Sequence, residues 1–295
     1  METSVKYISL LLAAVLMCSC AGVVDPEADH DPVDTDNVNV IDSSKEIDSG
    51  YLKRHLALLF TSTGCVECPL LSASVKELQK NIPGSVIPVA FHLDYTQTDP
   101  MTLSINRKFY DKVSWHDAGV VGLPMFCLNF RKGDQQIVNE YAKMDSEIKT
   151  HESSYPAICG VSVASVYDAT SSAVKVTAGF KADKAGFYRY HIFLVEDGLE
   201  YAQAGNEDPG YRHDNVLRDL SADNVLGARL NAGKVLEAGT EYVVEKSFKL
   251  SAGWKVENMR VIAAMLDTPD GGETWLSNNV NEAAVGASSE YAYEK

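Results

Sequence analysis

Cys65-Val66-Glu67-Cys68 places two thiols three positions apart, inside TSTGCVECPLL (Thr61 to Leu71). Three chemistries use that spacing: a redox-active dithiol, two ligands of a metal site, or a disulfide staple in a secreted domain. Structural zinc needs a second pair of ligands, and the chain has no second C-x-x-C and no H-x-x-H after this one. His92 and His116 could complete a site in principle, but lone histidines are more often ordinary surface or core residues. No metal and no other cofactor is expected. If the pair is redox-active, Cys65 is the attacking thiolate and Cys68 the resolving thiol. Glu67 between them opposes ionisation, because a nearby negative charge raises thiol pKa values. The sequence therefore places the potential nearer ~-270 mV than the strong-oxidant extreme near ~-120 mV.

A dithiol works only if its neighbours hold it. Leu56 to Phe60 is a continuous apolar run, as in a strand buried on both faces. Beyond Cys68, Leu71, Val75, Leu78 and Ile82 fall at helical spacing, and Pro83-Gly84 stops the helix. Pro69 suits the first turn, where its missing N–H costs nothing. SVIPVAFHLDY is the next strand. The helix N-terminus would stabilise a thiolate at Cys65 through its dipole and free N–H groups. The order strand, C-x-x-C, helix, strand resembles the thioredoxin fold. That resemblance implies a cis-proline loop against the dithiol, and VVGLPMFCLNFRKG (Val120 to Gly133) matches it. Pro124 is then cis, Leu123 and Pro124 hold an extended substrate chain, and the following strand turns at Lys132-Gly133. Thr98 to Val113 reads as a helical insertion. QIVNEYAKMDSEIKTHE reads as the last helix, with Ile137, Tyr141, Met144 and Ile148 on one face. Leu59 stands where many thioredoxins bury an acid six residues before the first cysteine. That departure weakens the case for reductase turnover.

The N-terminus gives the address. Lys6 and the apolar run Tyr7 to Met17 fit a secretion signal and are too short to span a bilayer. LMCSCAG follows, and Cys20 fits a lipoprotein cysteine better than Cys18, which has the bulky Met17 before it. Residues 1–19 are then a signal peptide, and lipid on Cys20 anchors the chain to a membrane. Ala21 in the next position favours the outer membrane. Residues 20–49 are rich in Asp and Glu and read as a disordered acidic tether. The 295-residue chain carries a net charge of -15, so nucleic acid is excluded as a partner.

From about Ala157 the texture changes to period-2 runs separated by turns, such as GVSVASVYD, AVKVTAGFKA and NMRVIAAMLD. The fold class is α/β plus all-β: a thioredoxin-like domain over 50–156, then an immunoglobulin- or fibronectin-like β-sandwich over 157–295. YRHDNVLR (Tyr211 to Arg218) groups polar side chains, and His213 and Arg218 are candidates for a substrate or partner face. No nucleophile elbow accompanies them, so they do not make a hydrolase. A long loop bonding to strand ends is the plainer alternative. GNEDPG and DTPDGGE lack calcium-loop spacing.

TGCVECP, AFHLDY, GLPMFCLNFR, YRHDNVLR and VIAAMLDTPDGGETWLSNNVNEA, in that order, resemble the Omp-twenty-eight-related outer membrane lipoproteins of Gram-negative bacteria. The resemblance covers nearly all of the mature chain. It implies location and surface adhesion more than chemistry, with envelope or host surface proteins or glycans as partners. Cys127 and Cys159 remain. A bridge between them would pin the two halves together, while two buried free thiols are the common state of lone cysteines in apolar strands. Two functions of different class stay open: an envelope thiol–disulfide protein, and a surface binding lipoprotein whose Cys65–Cys68 bond is structural. Exposure of Cys65 in an open groove separates them.

Overall fold

The computed structural model describes residues 37–41, 50–114, 121–131, 133, 141–269 and 274–295. Cys20, the signal segment, His116 and Ile137 lie outside them. In chain order the strands and helices are β1 (Asn37–Ile41), β2 (His55–Thr61), α1 (Cys68–Asn81), β3 (Val86–His92), α2 (Ser104–Val113), β4 (Met125–Leu128) and α3 (Tyr141–Ser154). Then follow β5 (Cys159–Asp168), β6 (Ala173–Ala182), β7 (Arg189–Glu196), β8 (Leu199–Glu200), β9 (Arg212–His213), β10 (Val216–Leu220) and β11 (Ala228–Arg229). The chain closes with β12 (Glu241–Lys249), β13 (Met259–Asp267), β14 (Leu276–Ala284) and β15 (Ser288–Ser289).

β2 and β3 run parallel, from His55 opposite Val86 to Thr61 opposite His92, with α1 as the crossover. β4 pairs antiparallel on the other side of β2. Every residue of β2 is buried, because alternate side chains enter different cores. Leu56, Leu58 and Phe60 face α2, where Phe91, Phe109 and Tyr110 pack. Ala57 and Leu59 face α1 and α3, against Leu71, Val75, Leu78, Met144 and Ile148. α1 thus buries the stripe expected from its spacing.

The sequence texture breaks near residue 157, but the sheet does not. β10 joins β3 in parallel, with the Ala90 N–H donating to the Asn215 carbonyl at 2.7 Å. One sheet then runs β14-β13-β7-β10-β3-β2-β4, with β11 on β7. It curls around α2, so that the Ser277 N–H donates to the Asn129 carbonyl just past β4 at 3.2 Å. A five-stranded sheet, β1-β12-β6-β5-β15, covers the outer face of β7 and β13. The C-terminal half is therefore not a separate sandwich. Its strands complete the sheet of the first half, which parallel pairing between residues so far apart in sequence leaves unannounced.

Three further expectations are corrected. The acidic tether is not structureless throughout, since Asn37–Ile41 pairs antiparallel with Glu241–Glu245 along the edge of β12. NVNVI alternates β-branched residues, and that local signal prevails over the acidic composition around it. The chain already turns after β4 at Asn129 and Phe130, both at positive φ, while Lys132 of the expected turn lies outside the described residues. Asn129 makes this turn worthwhile. Its side-chain oxygen accepts the Leu56 N–H at 2.8 Å, and its amide faces His55 Nδ1 at 3.0 Å and His151 Nδ1 at 3.2 Å. Finally, α2 begins only at Ser104, within the insertion expected from Thr98. Cys127 and Cys159 are free and buried, so no bridge links them.

Candidate functional site

Cys65 and Cys68 form a disulfide with their Cα atoms 5.4 Å apart. Cys68 opens α1, with Pro69 in its first turn, and the Glu67 side chain makes no capping bond. The Cys65 N–H donates to the Ser62 carbonyl at 3.1 Å, which folds the segment back from the end of β2. Local sequence thus places the pair as expected. Exposure does not follow. Cys65 is 2% exposed and Cys68 1%, so the first cysteine is no more accessible than the second.

The cover comes from the hairpin β8–β9. Its connecting segment, Tyr201 to Tyr211, crosses the C-x-x-C turn as a strap. Gln203, itself 4% exposed, donates its side-chain amide to the Cys65 carbonyl at 2.7 Å and to the Ser62 carbonyl at 3.1 Å. The Ala204 N–H donates to the Thr63 carbonyl at 2.8 Å. Gly205, at φ +76°, lies so close that a Cβ there would sit 2.7 Å from Val66 Cγ1 and 3.1 Å from its carbonyl oxygen. The space left beside Cys68 is about 20 Å³, room for a single water. It is lined by Cys68, Pro69, His92, Gln203 and His213, and by neither Leu123 nor Pro124. Gly205→Ala should strain both backbone and contact, costing about 1–3 kcal/mol. Faster hydrogen exchange at the Ala204 N–H measures it; unchanged exchange would mean the strap does not depend on this approach.

Beneath the turn lies a buried pair that sequence reading missed. Asp99 accepts the His92 Nδ1–H at 2.9 Å, the Thr63 N–H at 2.7 Å and the Met101 N–H at 2.9 Å. Burial pushes the Asp99 pKa up, but these bonds, His92 first, outweigh it and hold the carboxyl below its usual value. His213 stacks edge-on to His92, with ring centroids 5.3 Å apart, and its Nε2 faces the Tyr201 carbonyl at 3.2 Å. Burial, then the neighbouring His92, lowers the His213 pKa to about 4.

The other candidates are dispersed. The Leu123–Pro124 bond is cis, and Leu123 packs against the core around α2. His213 is buried under the strap, and Lys76 pairs with its neighbour Asp214 at 2.8 Å. Arg218 lies in a different pocket, paired with Glu196 at 3.1 Å. The three candidates for substrate contact therefore lie apart: Leu123 at the core around α2, His213 beside Cys68 and Arg218 in the pocket with Glu196. Gln203 and Asp99 are what the sequence did not disclose; a lone Gln or Asp in a polar loop carries no spacing signal. Among the described residues no group of three or more His, Cys, Asp or Glu is placed to hold a metal ion.

No family model and no curated protein matches the chain. Among solved structures it is similar to HBP35 of Porphyromonas gingivalis, at 17% identity over 84% of this chain and 80% of that one, with a TM-score of 0.65. The fold is thioredoxin-like. A structural-genomics protein from Agrobacterium tumefaciens is also similar, at 13% identity over 82% of this chain and 98% of that one, with a TM-score of 0.55. Both matches span more than the β2–α1–β3 unit, so the extended arrangement, and not the dithiol segment alone, is shared.

Proposed function

We propose that the chain is a lipid-anchored envelope lipoprotein that acts as a surface binding protein, with Cys65–Cys68 as a structural disulfide. The observation that carries this reading is the strap. A thiol–disulfide protein presents its first sulfur to a substrate chain, whereas Cys65 here is 2% exposed, in a turn whose backbone is bonded to the strap through Gln203 and Ala204. The disulfide fastens the C-x-x-C turn to which the strap bonds, and so helps join the two halves of the shared sheet. The Omp-twenty-eight-related resemblance and the Cys20 motif support an outer-membrane location, with envelope or host surface proteins or glycans as partners. No helix among the described residues is long and apolar enough to cross a membrane.

The anchor is tested by palmitate labelling in a Gram-negative host. Label on the wild type, lost in Cys20→Ala together with membrane fractionation, is the expected result. Label retained in Cys20→Ala overturns the anchor at this residue. Thiol exchange is the second reading, favoured by the cis Leu123–Pro124 bond and the dithiol ahead of α1. It requires the strap to open.

A further inference from the structure

Arg218 is held more firmly than a surface arginine needs to be. Its Nε lies 3.1 Å from Glu196 Oε2, and its guanidinium lies over the Trp254 ring, 4.5 Å from the centroid. Glu196 is itself buried and fixed by the Lys255 N–H, which donates to Oε1 at 2.9 Å. An ion pair and a ring face thus restrain the guanidinium from two sides. Arg218 lines a pocket of about 380 Å³, within the size range of small-ligand sites. Met101, Leu199 and Tyr201 form its apolar wall, and the exposed Lys255 adds a second cation at the rim. Glu200 is also at the rim, but is exposed and solvent-screened.

Tyr201 is 43% exposed, yet its backbone is tied at both ends. Its N–H donates to the Tyr211 carbonyl at 3.0 Å, and its carbonyl faces His213 Nε2 at 3.2 Å. A positioned aromatic face beside an oriented arginine fork fits a particular ligand. The fork matches a carboxylate with two parallel hydrogen bonds. The ring offers an apolar platform with a polar edge. The net charge of -15 disfavours a polyanion but not one carboxylate on an otherwise neutral ring.

We propose that this pocket binds a carboxylate-bearing sugar of a glycan, with Arg218 taking the carboxylate and Tyr201 the face of the sugar ring. The inference rests on the surface-binding reading and names its ligand class. Saturation-transfer NMR on the purified full chain tests it, with methyl β-D-glucuronide against methyl β-D-glucoside as probes. The expected result is transfer to the glucuronide ring protons, with at least about tenfold weaker binding of the glucoside. Tyr201→Ala, at an exposed ring, should abolish the signal, and Arg218→Lys should weaken binding about tenfold by removing the fork. Equal binding of the two sugars, no transfer from the wild type, or binding that survives Tyr201→Ala overturns the inference. Disulfide reduction measured on the same sample keeps the readings apart. A wild type that binds neither sugar but resists reduction loses only the sugar assignment.

Discussion

The folded protein is expected to lose about 5 kcal/mol of stability between about pH 7.5 and about pH 5.5. The cause is four buried histidines. Burial lowers the pKa of His55 to about 3, of His151 to about 4, of His191 to about 3 and of His213 to about 4, from an ordinary 6.5. Lys53 and then His151 add to the effect at His55, Lys53 and then Arg131 at His151. At His191 the Val225 carbonyl opposes the shift and Arg189 adds to it. Each of these groups is neutral when folded and takes up a proton when unfolded. Their contribution is nearly complete above pH 6.5 and is lost as pH falls from there, down to about 4 for His151 and His213 and about 3 for His55 and His191. One pH unit below the unfolded value costs about 1.4 kcal/mol per site. The sum is an upper figure, since the His55 and His151 rings are 5.7 Å apart and share the Asn129 amide. That amide gives a structural reason for the sign: both Nδ1 atoms must accept, which a protonated ring does not do. Urea unfolding at the two pH values measures the loss. An unchanged free energy would contradict neutral burial of these rings.

Asp99→Ala is expected to destabilise the protein by about 3–5 kcal/mol, among the largest effects of any single polar substitution here. Its carboxylate serves three donors, so its removal leaves the Thr63 and Met101 N–H groups and His92 unsatisfied in a buried site. Thr63 precedes the C-x-x-C turn, so the damage extends to the disulfide and the strap above it. The pH signature is distinct from that of the histidines. Because the folded pKa of Asp99 is depressed, its contribution is present above the unfolded value of about 3.9 and lost in stronger acid. Thermal melts at neutral pH measure the main effect, and Asp99→Asn, which keeps an acceptor oxygen, should lose less. Equal melting of wild type and Asp99→Ala would show that the pair carries no structural load.

The thioredoxin-like half was legible because its signals are local. An apolar run gave β2, helical spacing gave Leu71, Val75 and Leu78 in the core, and Gly-Leu-Pro marked the cis bond. What escaped depends on partners distant in sequence. Gln203 reaches Cys65 across 138 positions, and nothing in its own neighbourhood marks it as a cover. The pairing of β10 with β3 likewise has no local pattern, which hid the continuity of the sheet. β1 was missed for another reason: five alternating residues were averaged into a long acidic stretch. His213 and Arg218 were grouped as one candidate face because they are close in sequence, but β9 and β10 send them to different pockets.

If the strap makes the Cys65–Cys68 bond structural, the rate at which that bond is reduced shows it. Native protein is treated with dithiothreitol, and alkylated Cys65 and Cys68 are counted by mass spectrometry over time. Slow reduction of the wild type is expected, limited by local opening, with a potential below about -300 mV. Gln203→Ala removes two hydrogen bonds that hold the strap down, about 2 kcal/mol, and should speed reduction at least about tenfold. Wild-type reduction as fast as in the urea-unfolded chain, and unchanged by Gln203→Ala, would contradict a structural disulfide and return the dithiol to thiol exchange.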